Sequence, residues 1–385
     1  MNLTSLINHL TTKFRSQYGQ LPFSFVVHTP DSQSIPVGTQ SPSFEVYIRN
    51  KTGLKALKSF NQLKIAEAYI EGHLDIQGDL IKALLFQEML SDKNIGIKTW
   101  RRVESLLKGR KKCNPAWIAK HYDANNIQLL ATDENYNAYA QGRYEAEEDS
   151  LEVGCERKLQ CVFDSLNLKP NDTVLDIGCG WGSFLRYAAR RDIHVTGITL
   201  SKHQTAYTDK LIRDNQFDAQ VLYQDFFTFK PTQKYDGIVM LGVLETLSDY
   251  PSVMKRIAKF VKPGGRVFLD FAASKLPFGT SSFITKYVWP GTFRMVFMPQ
   301  FIDAVIISPF EIISIHNDRR NYYLWSKKVN ERWEAKKADI VAQTNEELWR
   351  TFRVLFAGTA SVMNNPSHKA SAHRVVLEYP VDFMS

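Results

Sequence analysis

The sequence predicts an α/β protein whose larger part contains a doubly wound, mostly parallel sheet, preceded by a small α+β domain. From residue 173 onward, short apolar stretches alternate with amphipathic stretches of helical spacing. This alternation is typical of strand–helix–strand units built on a parallel sheet. The length of 385 residues also exceeds one ordinary core and favours two domains, or one enlarged α/β domain with an accessory piece.

The first hundred residues carry the pattern of the smaller domain. FSFVVH and FEVYIRN alternate in polarity and are separated by turn residues, which predicts strands. Helical spacing follows in LKIAEAYIEG and LIKALLFQEML. Gly109 and Pro115 mark the best boundary. We therefore predict an N-terminal domain over residues 1–95, a basic linker over 96–115 and a second domain over 116–385.

The second domain reads as a series of strands and helices in regular order. The predicted strands are TVLDIG, HVTGITL, QVLYQD, YDGIVMLG and GRVFLDFA. The helices predicted between them include SFLRYAARR, SKHQTAYTDKLIRDN and SVMKRIAKFV. Because consecutive strands are joined by helices, we expect their carboxyl ends to meet at one edge of the sheet.

Composition excludes several classes of protein. No apolar run approaches the roughly 18 residues of a membrane-spanning helix, and MNLTSLINHLTTKFRSQ lacks the apolar core of a secretory signal. The four cysteines form no CxxC pair and the nine histidines form no HxxxH pair, so we expect neither a disulfide framework nor a metal site. We therefore expect a cytoplasmic protein.

The net charge of +8 is partly concentrated in one segment, Lys98 to Lys112. Seven basic residues there are opposed only by Glu104, and apolar residues lie between them. A basic segment with an apolar side suits the surface of an anionic membrane. A solvated helix face that leads into a linker is an equally good interpretation.

Residues 174–184, VLDIGCGWGSF, form a glycine-rich turn between a predicted strand and a predicted helix. Glycines allow a sharp turn close to a ligand, and the free N–H groups of a helix start favour anionic groups. The spacing is GxGxG with Asp176 just before it, unlike the GxGxxG of dinucleotide enzymes or the GK[ST] of a P-loop. This combination is typical of S-adenosylmethionine enzymes.

The following strand, HVTGITLSKHQ, lacks the carboxylate with which dinucleotide enzymes bind the ribose. Hydroxyl and amide groups stand there instead, and Gln224-Asp225 at the end of the next strand can reach an adenine edge. The candidate cofactor-binding residues are Tyr139, Asp176, Gly178, Cys179, Gly180, Trp181, Gly182, Thr199, Leu200, Ser201, Gln204, Gln224 and Asp225.

DIGCGWG and TGITLSKHQ together resemble the cyclopropane-fatty-acyl-phospholipid synthases and the related mycolic acid methyltransferases. The resemblance extends over nearly the whole chain, through AEAYIEGHLDIQGDL, HYDANN, the lid segment FITKYVWPG, FAGTA and HRVVLE. It implies a Rossmann-like class I methyltransferase domain with an acyl-substrate lid, S-adenosylmethionine as methyl donor, and a lipid-associated N-terminal domain. That domain favours the phospholipid-acting branch of the family.

In this family, the sulfonium methyl is transferred to a cis double bond, and a base then removes a proton so that a ring closes. The resemblance implies that the base is a bicarbonate held by a Cys, a Glu, a His, an Ile backbone group and a Tyr. The corresponding positions here are Gln141, Glu245, Asp270, Ala272 and Tyr322. Only Glu245 and Tyr322 keep the family's side chain, which argues against bicarbonate as a ligand.

Two interpretations of Asp270 remain open. In one, Asp270 is itself the base, with a pKa raised by Glu245 and by burial. In the other, ring closure is lost and Asp270 only accepts hydrogen bonds from backbone groups at a strand end. The candidate catalytic residues are Gln141, Glu245, Asp270 and Tyr322.

The resulting hypothesis is a methyltransferase that acts on an unsaturated acyl chain of a phospholipid and makes a cyclopropane, methylene or methyl-branched product. It would work at the inner face of the membrane as a peripheral protein, without nucleic acid, and a second copy of the chain is a candidate partner. Two alternatives are a methyltransferase for a soluble unsaturated metabolite and a homologue that binds lipid or S-adenosylmethionine without turnover.

Overall fold

The computed structural model describes residues 3–90, 129–277, 280–289 and 293–381. In these ranges the strands form two sheets, one of four strands in the first ninety residues and one of eight strands in the remainder. The sequence predicts this division. The predicted boundary at residues 96–115 and the basic segment from Lys98 to Lys112 lie outside the described residues.

The N-terminal unit is a small mixed sheet with helices packed on it. Its sheet has the order β2-β1-β3-β4, in which only β1 and β3 are parallel. The elements are α1 (Leu3–Tyr18), β1 (Ser24–His28), β2 (Ser34–Val37), β3 (Pro42–Ile48), α2 (Lys51–Lys58), α3 (Gln62–Ile70), β4 (Leu74–Gly78), α4 (Leu80–Ala83) and a 3₁₀ turn (Leu84–Met89).

The larger sheet has the order β11-β12-β9-β8-β5-β6-β7, and β10 pairs with β9. Strands β5 to β9 are parallel, whereas β12 runs antiparallel to both β9 and β11. The strands are β5 (Thr173–Ile177), β6 (His194–Thr199), β7 (Ala219–Tyr223), β8 (Tyr235–Leu241), β9 (Val261–Ser274), β10 (Val296–Phe297), β11 (Glu311–Asn317) and β12 (Ala370–Glu378). The predicted doubly wound, mostly parallel sheet is therefore confirmed.

Helices connect these strands, and further helices precede the sheet or lie between its later strands. They are α5 (Leu151–Ser165), α6 (Ser183–Ala189), α7 (Lys202–Asn215), α8 (Tyr250–Phe260), α9 (Met298–Ile306), α10 (Arg319–Ala335), α11 (Lys337–Gln343) and α12 (Glu346–Asn364). Short polar residues set several of the starts: the side chains of Ser150, Ser201 and Asn345 accept N–H groups of the first turns of α5, α7 and α12. Such caps satisfy backbone donors that the helix leaves unpaired.

The two faces of the central sheet are both buried, which explains why its strands are nearly continuously apolar. Leu175 and Ile177 of β5 pack into one cluster, while Val174 beside Leu175 packs into the cluster on the opposite face. Burying each such side chain contributes roughly 1.5–3 kcal/mol. Parallel sheets require this cover on both faces.

The strand order reverses at β5. The chain passes from β5 to β6 on one side and later returns to β8 on the other side. Ligands of open α/β sheets bind at such a reversal, beyond the carboxyl ends of the strands. The predicted glycine turn follows β5 directly and therefore lies at this point.

The N-terminal unit packs against helix α12 of the larger unit. Leu63 and Ile70 of α3 share a buried cluster with Leu355 and Phe356 of α12. The buried guanidinium of Arg353 donates from Nη1 to Tyr69 Oη at 2.7 Å and to the carbonyl oxygen of Ile76 at 2.9 Å. Among the described residues, no helix is long and apolar enough to cross a membrane.

Candidate active site

A pocket of about 140 Å³ lies beyond the carboxyl ends of β5, β6, β7 and β8. Nearly all of the predicted cofactor-binding residues line it, namely Tyr139, Asp176, Gly178, Cys179, Gly180, Trp181, Thr199, Leu200, Ser201, Gln204, Gln224 and Asp225. We call this cavity the donor pocket. The one predicted residue outside its lining is Gly182.

The glycine turn has left-handed backbone conformation at each of its three glycines. Gly178 has φ of +72°, and a Cβ there would lie 2.4 Å from Val243 Cγ2, so neither the backbone nor the space accepts a side chain. Gly182 caps the start of α6, and a Cβ there would lie 2.9 Å from Thr208 Cγ2 of α7. Gly182 therefore permits close packing of α6 on α7, at the rear of the turn.

Asp176 is the acidic group of the donor pocket. It lies in β5 one residue before its end, and 2% of its surface is exposed. Burial raises the pKa of Asp176 to about 7, and the positive charge of Lys158 opposes that shift. A cationic group of a ligand beside this carboxylate would favour its ionised form in the same way.

The predicted hydroxyl and amide groups lie at the carboxyl ends of β6 and β7. The Thr199 hydroxyl donates to Gln204 Oε1 at 2.8 Å, and Ser201 Oγ accepts the Gln204 N–H at 3.1 Å. Asp225 Oδ1 accepts the Phe227 N–H at 2.6 Å. These contacts fix the loops after the two strands and leave polar atoms along the pocket wall.

Sequence reasoning missed several residues of the donor pocket. The loop after β8 supplies one side of the pocket. This loop could have been predicted, because ligands of open α/β sheets bind beyond the carboxyl ends of the strands. Residues before α5 supply another side, and no motif marks them. The missed lining residues are Asn137, Ala140, Ile177, Ser183, Ile198, Phe226, Phe227, Leu241, Gly242, Val243, Thr246 and Leu247.

A second pocket of about 60 Å³ adjoins the donor pocket, and we call it the acceptor pocket. Tyr139, Ala140 and Gly242 line both cavities. The acceptor pocket brings together all four predicted catalytic residues, Gln141, Glu245, Asp270 and Tyr322. Its remaining walls are mainly apolar and aromatic: Phe271, Ala272, Trp289, Phe293, Trp325, Leu355, Phe356 and Thr359.

Glu245 lies on a single 3₁₀ turn after β8 and is 4% exposed. Its Oε1 accepts the Ala272 N–H at 2.7 Å, whereas the buried Oε2 has no hydrogen-bond partner in the part of the chain that the structure describes. Burial raises the pKa of Glu245 to about 8, and the nearby Asp270 adds to that shift. Glu245 is therefore mostly protonated at neutral pH.

Asp270 is buried in β9, opposite the same loop, but it has a cationic partner. Its Oδ1 accepts the Gly242 N–H at 2.7 Å, and its Oδ2 lies 2.6 Å from Lys158 Nζ. Burial raises the pKa of Asp270, and Lys158 and the Gly242 N–H oppose this. The neighbouring Asp318 adds to the rise, and Asp270 in turn raises the pKa of Glu245, so the two carboxyl groups of the pocket do interact.

The other two predicted catalytic residues complete the acceptor pocket. Gln141 is buried, and its Nε2 has no hydrogen-bond partner among the described residues. Tyr322 lies in the first turn of α10, with its ring 5.7 Å from that of Trp325. An amide donor and a phenol therefore flank the carboxyl pair.

The arrangement joins a polar pocket that contains a carboxylate to an apolar pocket that contains two buried carboxyl groups. The first can hold a nucleoside with a cationic group, and the second can hold an apolar acceptor beside a proton-accepting group. Over the described ranges, no cluster of three or more His, Cys, Asp or Glu side chains could bind a metal ion.

Comparison with known proteins identifies the family. The sequence model of mycolic acid cyclopropane synthetase matches residues 110–370. A protein of Mycobacterium tuberculosis named as a probable fatty acid methyltransferase is 25% identical over 378 residues, covering 84% of each chain. The cyclopropane-fatty-acyl-phospholipid synthase of Escherichia coli is 26% identical over 265 residues, covering 66% of this chain and 68% of the relative.

Solved structures show the same fold. A mycolic acid cyclopropane synthase complexed with S-adenosylhomocysteine and CTAB superimposes with a TM-score of 0.64 at 20% identity, covering 70% of this chain and 100% of the other. The class I methyltransferase fold that the family resemblance implies is therefore confirmed. The chain belongs to the mycolic acid cyclopropane synthetase family and is an S-adenosylmethionine-dependent methyltransferase.

Proposed function

We propose that this enzyme transfers a methyl group from S-adenosylmethionine to the double bond of an unsaturated acyl chain in a phospholipid. The observation that carries the proposal is that the donor and acceptor pockets meet at Tyr139, Ala140 and Gly242. A methyl donor in the first pocket can therefore face an apolar acceptor in the second. Holding the two in line is the main requirement, because an alkene is a weak nucleophile.

The proposed reaction has two bond-making steps. The π electrons of the alkene form a carbon–carbon bond to the methyl group as its carbon–sulfur bond breaks, which leaves S-adenosylhomocysteine and a carbocation. Removal of a proton from the new methyl group then closes a cyclopropane or, after a hydride shift, leaves a methylene group. A saturated methyl branch would need a hydride from a separate reductant. The apolar walls exclude water, which would otherwise capture the cation.

The acceptor for that proton is proposed to be the Asp270 carboxylate. Lys158 and the Gly242 N–H favour its ionised form, whereas Glu245 is mostly protonated at neutral pH. Only a group that is ionised before the reaction can take up the proton directly. Neutral Glu245 then lines the acceptor pocket without adding a second negative charge.

The residues present fit bicarbonate poorly. The resemblance would assign a backbone group of Ala272 to that anion, but the Ala272 N–H already donates to Glu245 Oε1. At the family's His position, the carboxylate of Asp270 faces the pocket and would repel an anion. We therefore propose that a side chain of the enzyme, and not a bound bicarbonate, takes up the proton.

The proposed acceptor class rests on the aromatic walls and on the family relatives. The named relatives act on fatty acids and on fatty-acyl phospholipids. A phospholipid substrate would be reached at the inner face of the membrane, and the basic segment from Lys98 to Lys112 is our candidate for contact with it. We accordingly propose a cytoplasmic, peripheral enzyme that works without nucleic acid, alone or as a homodimer.

The test is mass spectrometry of total lipids from a host that makes unsaturated phospholipids but no cyclopropanes. Expression of the enzyme should convert part of the unsaturated chains into species heavier by one CH₂ unit. The Asp176→Asn variant, which lacks the donor-pocket carboxylate, is the control and should give little of this product. Unchanged lipids despite S-adenosylmethionine binding would refute an acyl substrate and favour a soluble acceptor or a protein without turnover.

A further inference from the structure

Lys158 is a buried lysine that no motif marks. It lies on α5, the helix before β5, and 6% of its side chain is exposed. Lysine is rarely so buried unless its charge is paired, because an ammonium group loses strong hydration. The partner is Asp270 of β9, whose Oδ2 lies 2.6 Å from Nζ.

The ion pair continues into the loop that separates the two pockets. The second oxygen of Asp270 accepts the N–H of Gly242, a residue with φ of +67° that lines both pockets. Three residues later, Glu245 Oε1 accepts the Ala272 N–H of β9. Two hydrogen bonds thus join the loop after β8 to β9. Lys158 is paired with Asp270, the carboxylate that makes the first of them.

Lys158 also lies near the donor pocket: Asp176 pairs with Val239 of β8 and Asp270 pairs with Leu241, two residues further along the same strand, so both carboxylates lie on one face of the sheet. The positive charge of Lys158 opposes the rise that burial causes in the pKa of Asp176, and it has the same effect on the pKa of Glu245. Arg374, a second cation behind Asp270, is already paired with Asp318 at 2.7 Å. Lys158 and Asp270 also line a small cavity of about 10 Å³, whose other charged residues are Arg143, Asp318 and Arg374.

We propose that Lys158 is a positioning residue for methyl transfer, which holds the Asp270 carboxylate ionised and directed at Gly242 and which electrostatically couples the acceptor pocket to Asp176 of the donor pocket. The inference deepens the proposed function and rests on it. Lys158 itself contacts neither substrate: it acts through the two carboxylates.

The charge environment of Lys158 determines how the proposal is tested. Asp270 contacts it from β9, the charges of Asp176 in β5 and Glu245 in the loop after β8 interact with it, and Cys155 lies one turn earlier on its own helix. Arg143, Asp318 and Arg374 line the cavity behind it. Loss of the ammonium should affect Asp270 most, because the two groups are in direct contact.

The first experiment measures S-adenosylmethionine binding by calorimetry between about pH 6 and pH 9, without any acyl substrate. Affinity in the parent should rise as Asp176 ionises near pH 7. Lys158→Met should displace that rise to higher pH and weaken binding at pH 7 by up to ~10-fold, since a displacement by one pH unit corresponds to a factor of ten. Lys158→Arg keeps the charge and should restore the parent curve. Superimposable curves for Lys158→Met and the parent would overturn the proposal.

The second experiment is a double-mutant cycle on methyl transfer. At saturating S-adenosylmethionine, Lys158→Met should lower turnover, and the Lys158→Met/Asp270→Asn double variant should lose no more turnover than Asp270→Asn alone. Equal losses from Lys158→Met in both backgrounds would contradict action through Asp270. If Lys158→Met alone unfolds, the double variant, which removes both charges of the pair, is compared with Asp270→Asn: a further loss of turnover in the double variant would contradict action through Asp270. Thermal unfolding of each variant reports folding.

The two experiments separate this inference from the proposed function. The binding curves need no acceptor, so a shifted curve together with unchanged lipids would support the role of Lys158 at Asp176 and reject the acyl substrate. An unshifted curve together with modified lipids would reject the role of Lys158 and keep the proposed reaction.

Discussion

Glu245 and Asp270 face the same pocket from adjacent elements, and the ammonium group of Lys158 is in direct contact with Asp270. Asp270 lies 2.6 Å from Lys158 Nζ, whereas Glu245 Oε2 has no hydrogen-bond partner within the described residues. Burial therefore has different consequences for the two groups. It leaves Glu245 with a pKa of about 8, while Lys158 favours the ionised form of Asp270 and opposes the rise of its pKa. The local charge environment thus favours the ionised form more at Asp270 than at Glu245, although burial raises the pKa of both groups.

This difference predicts unequal effects of two conservative substitutions. Asp270→Asn removes the proton acceptor and should lower turnover by the ~10²–10⁴-fold typical of a lost general base. Glu245→Gln keeps a neutral side chain that can accept the Ala272 N–H, so its loss should be much smaller. The measurement is methyl transfer to unsaturated phospholipid vesicles, with product analysis. Equal losses for both variants, or parent-like activity of Asp270→Asn, would contradict the assignment.

Activity should also be indifferent to bicarbonate. The Asp270 carboxylate and the engaged Ala272 N–H leave no site suited to that anion. Turnover in carbon-dioxide-depleted buffer should therefore equal turnover after bicarbonate is added. A strong stimulation by bicarbonate would show that the proton acceptor is not a side chain of this protein.

Glu245 should make stability depend on pH. Its pKa rises from 4.5 in the unfolded chain to about 8 in the folded protein, so the folded state binds the proton more firmly between those values. The free energy of unfolding should therefore fall as pH rises through that window, by at most about 1.4 kcal/mol for each pH unit. Glu245→Gln should remove this contribution.

Denaturant unfolding of the parent and of Glu245→Gln at several pH values checks the prediction. The stability of the variant relative to the parent should grow between about pH 5 and pH 8, by a few kcal/mol in total. Asp176 titrates in both proteins and cancels in the difference. A difference that stays constant with pH would mean that Glu245 is ionised in the folded protein.

Gly178→Val should abolish S-adenosylmethionine binding. The valine Cβ would meet Val243 at 2.4 Å in a backbone conformation with φ of +72°. Gly72→Val is a matched control, because Gly72 has φ of +77° but a Cβ added there would meet no neighbouring atom within 4 Å. Calorimetry should show binding for the control only. Binding by Gly178→Val at parent affinity would place the cofactor elsewhere.

The basic segment from Lys98 to Lys112 predicts salt-sensitive binding to anionic vesicles, at roughly 1 kcal/mol for each basic residue near the surface. Neutralising Arg110, Lys111 and Lys112 together should weaken co-sedimentation with the vesicles. Neutralising three exposed lysines of the larger unit makes the same change in net charge and is the control: Lys202, Lys234 and Lys255. If both triple variants bind alike, the segment is only a linker.

The sequence predicted the features that depend on local pattern. The strand and helix periodicity indicated the central sheet, and the glycine turn with the polar residues of HVTGITLSKHQ located the donor pocket. The same glycine pattern includes Gly182, which does not line that pocket and packs α6 on α7, because a motif does not distinguish a ligand contact from close packing of two helices. The family resemblance singled out Gln141, Glu245, Asp270 and Tyr322, and all four line one cavity.

Lys158 could not be predicted in this way. A lysine on an amphipathic helix usually faces solvent, and its burial depends on β9, which is roughly a hundred residues away in sequence. Asn137 and Ala140 are likewise pocket residues in a stretch without regular periodicity. Such contacts arise from tertiary packing, on which single-sequence patterns carry no information.

The most direct test of the central claim follows the methyl hydrogens. Cells that express the enzyme are supplied with methionine whose methyl group carries deuterium, and their phospholipid acyl chains are analysed by mass spectrometry. Methyl transfer followed by proton removal in the acceptor pocket predicts that the product keeps the methyl carbon and loses one of its deuterium atoms. The Asp270→Asn variant should make far less of that product. Acyl chains without label, in cells whose enzyme binds S-adenosylmethionine, would contradict this mechanism.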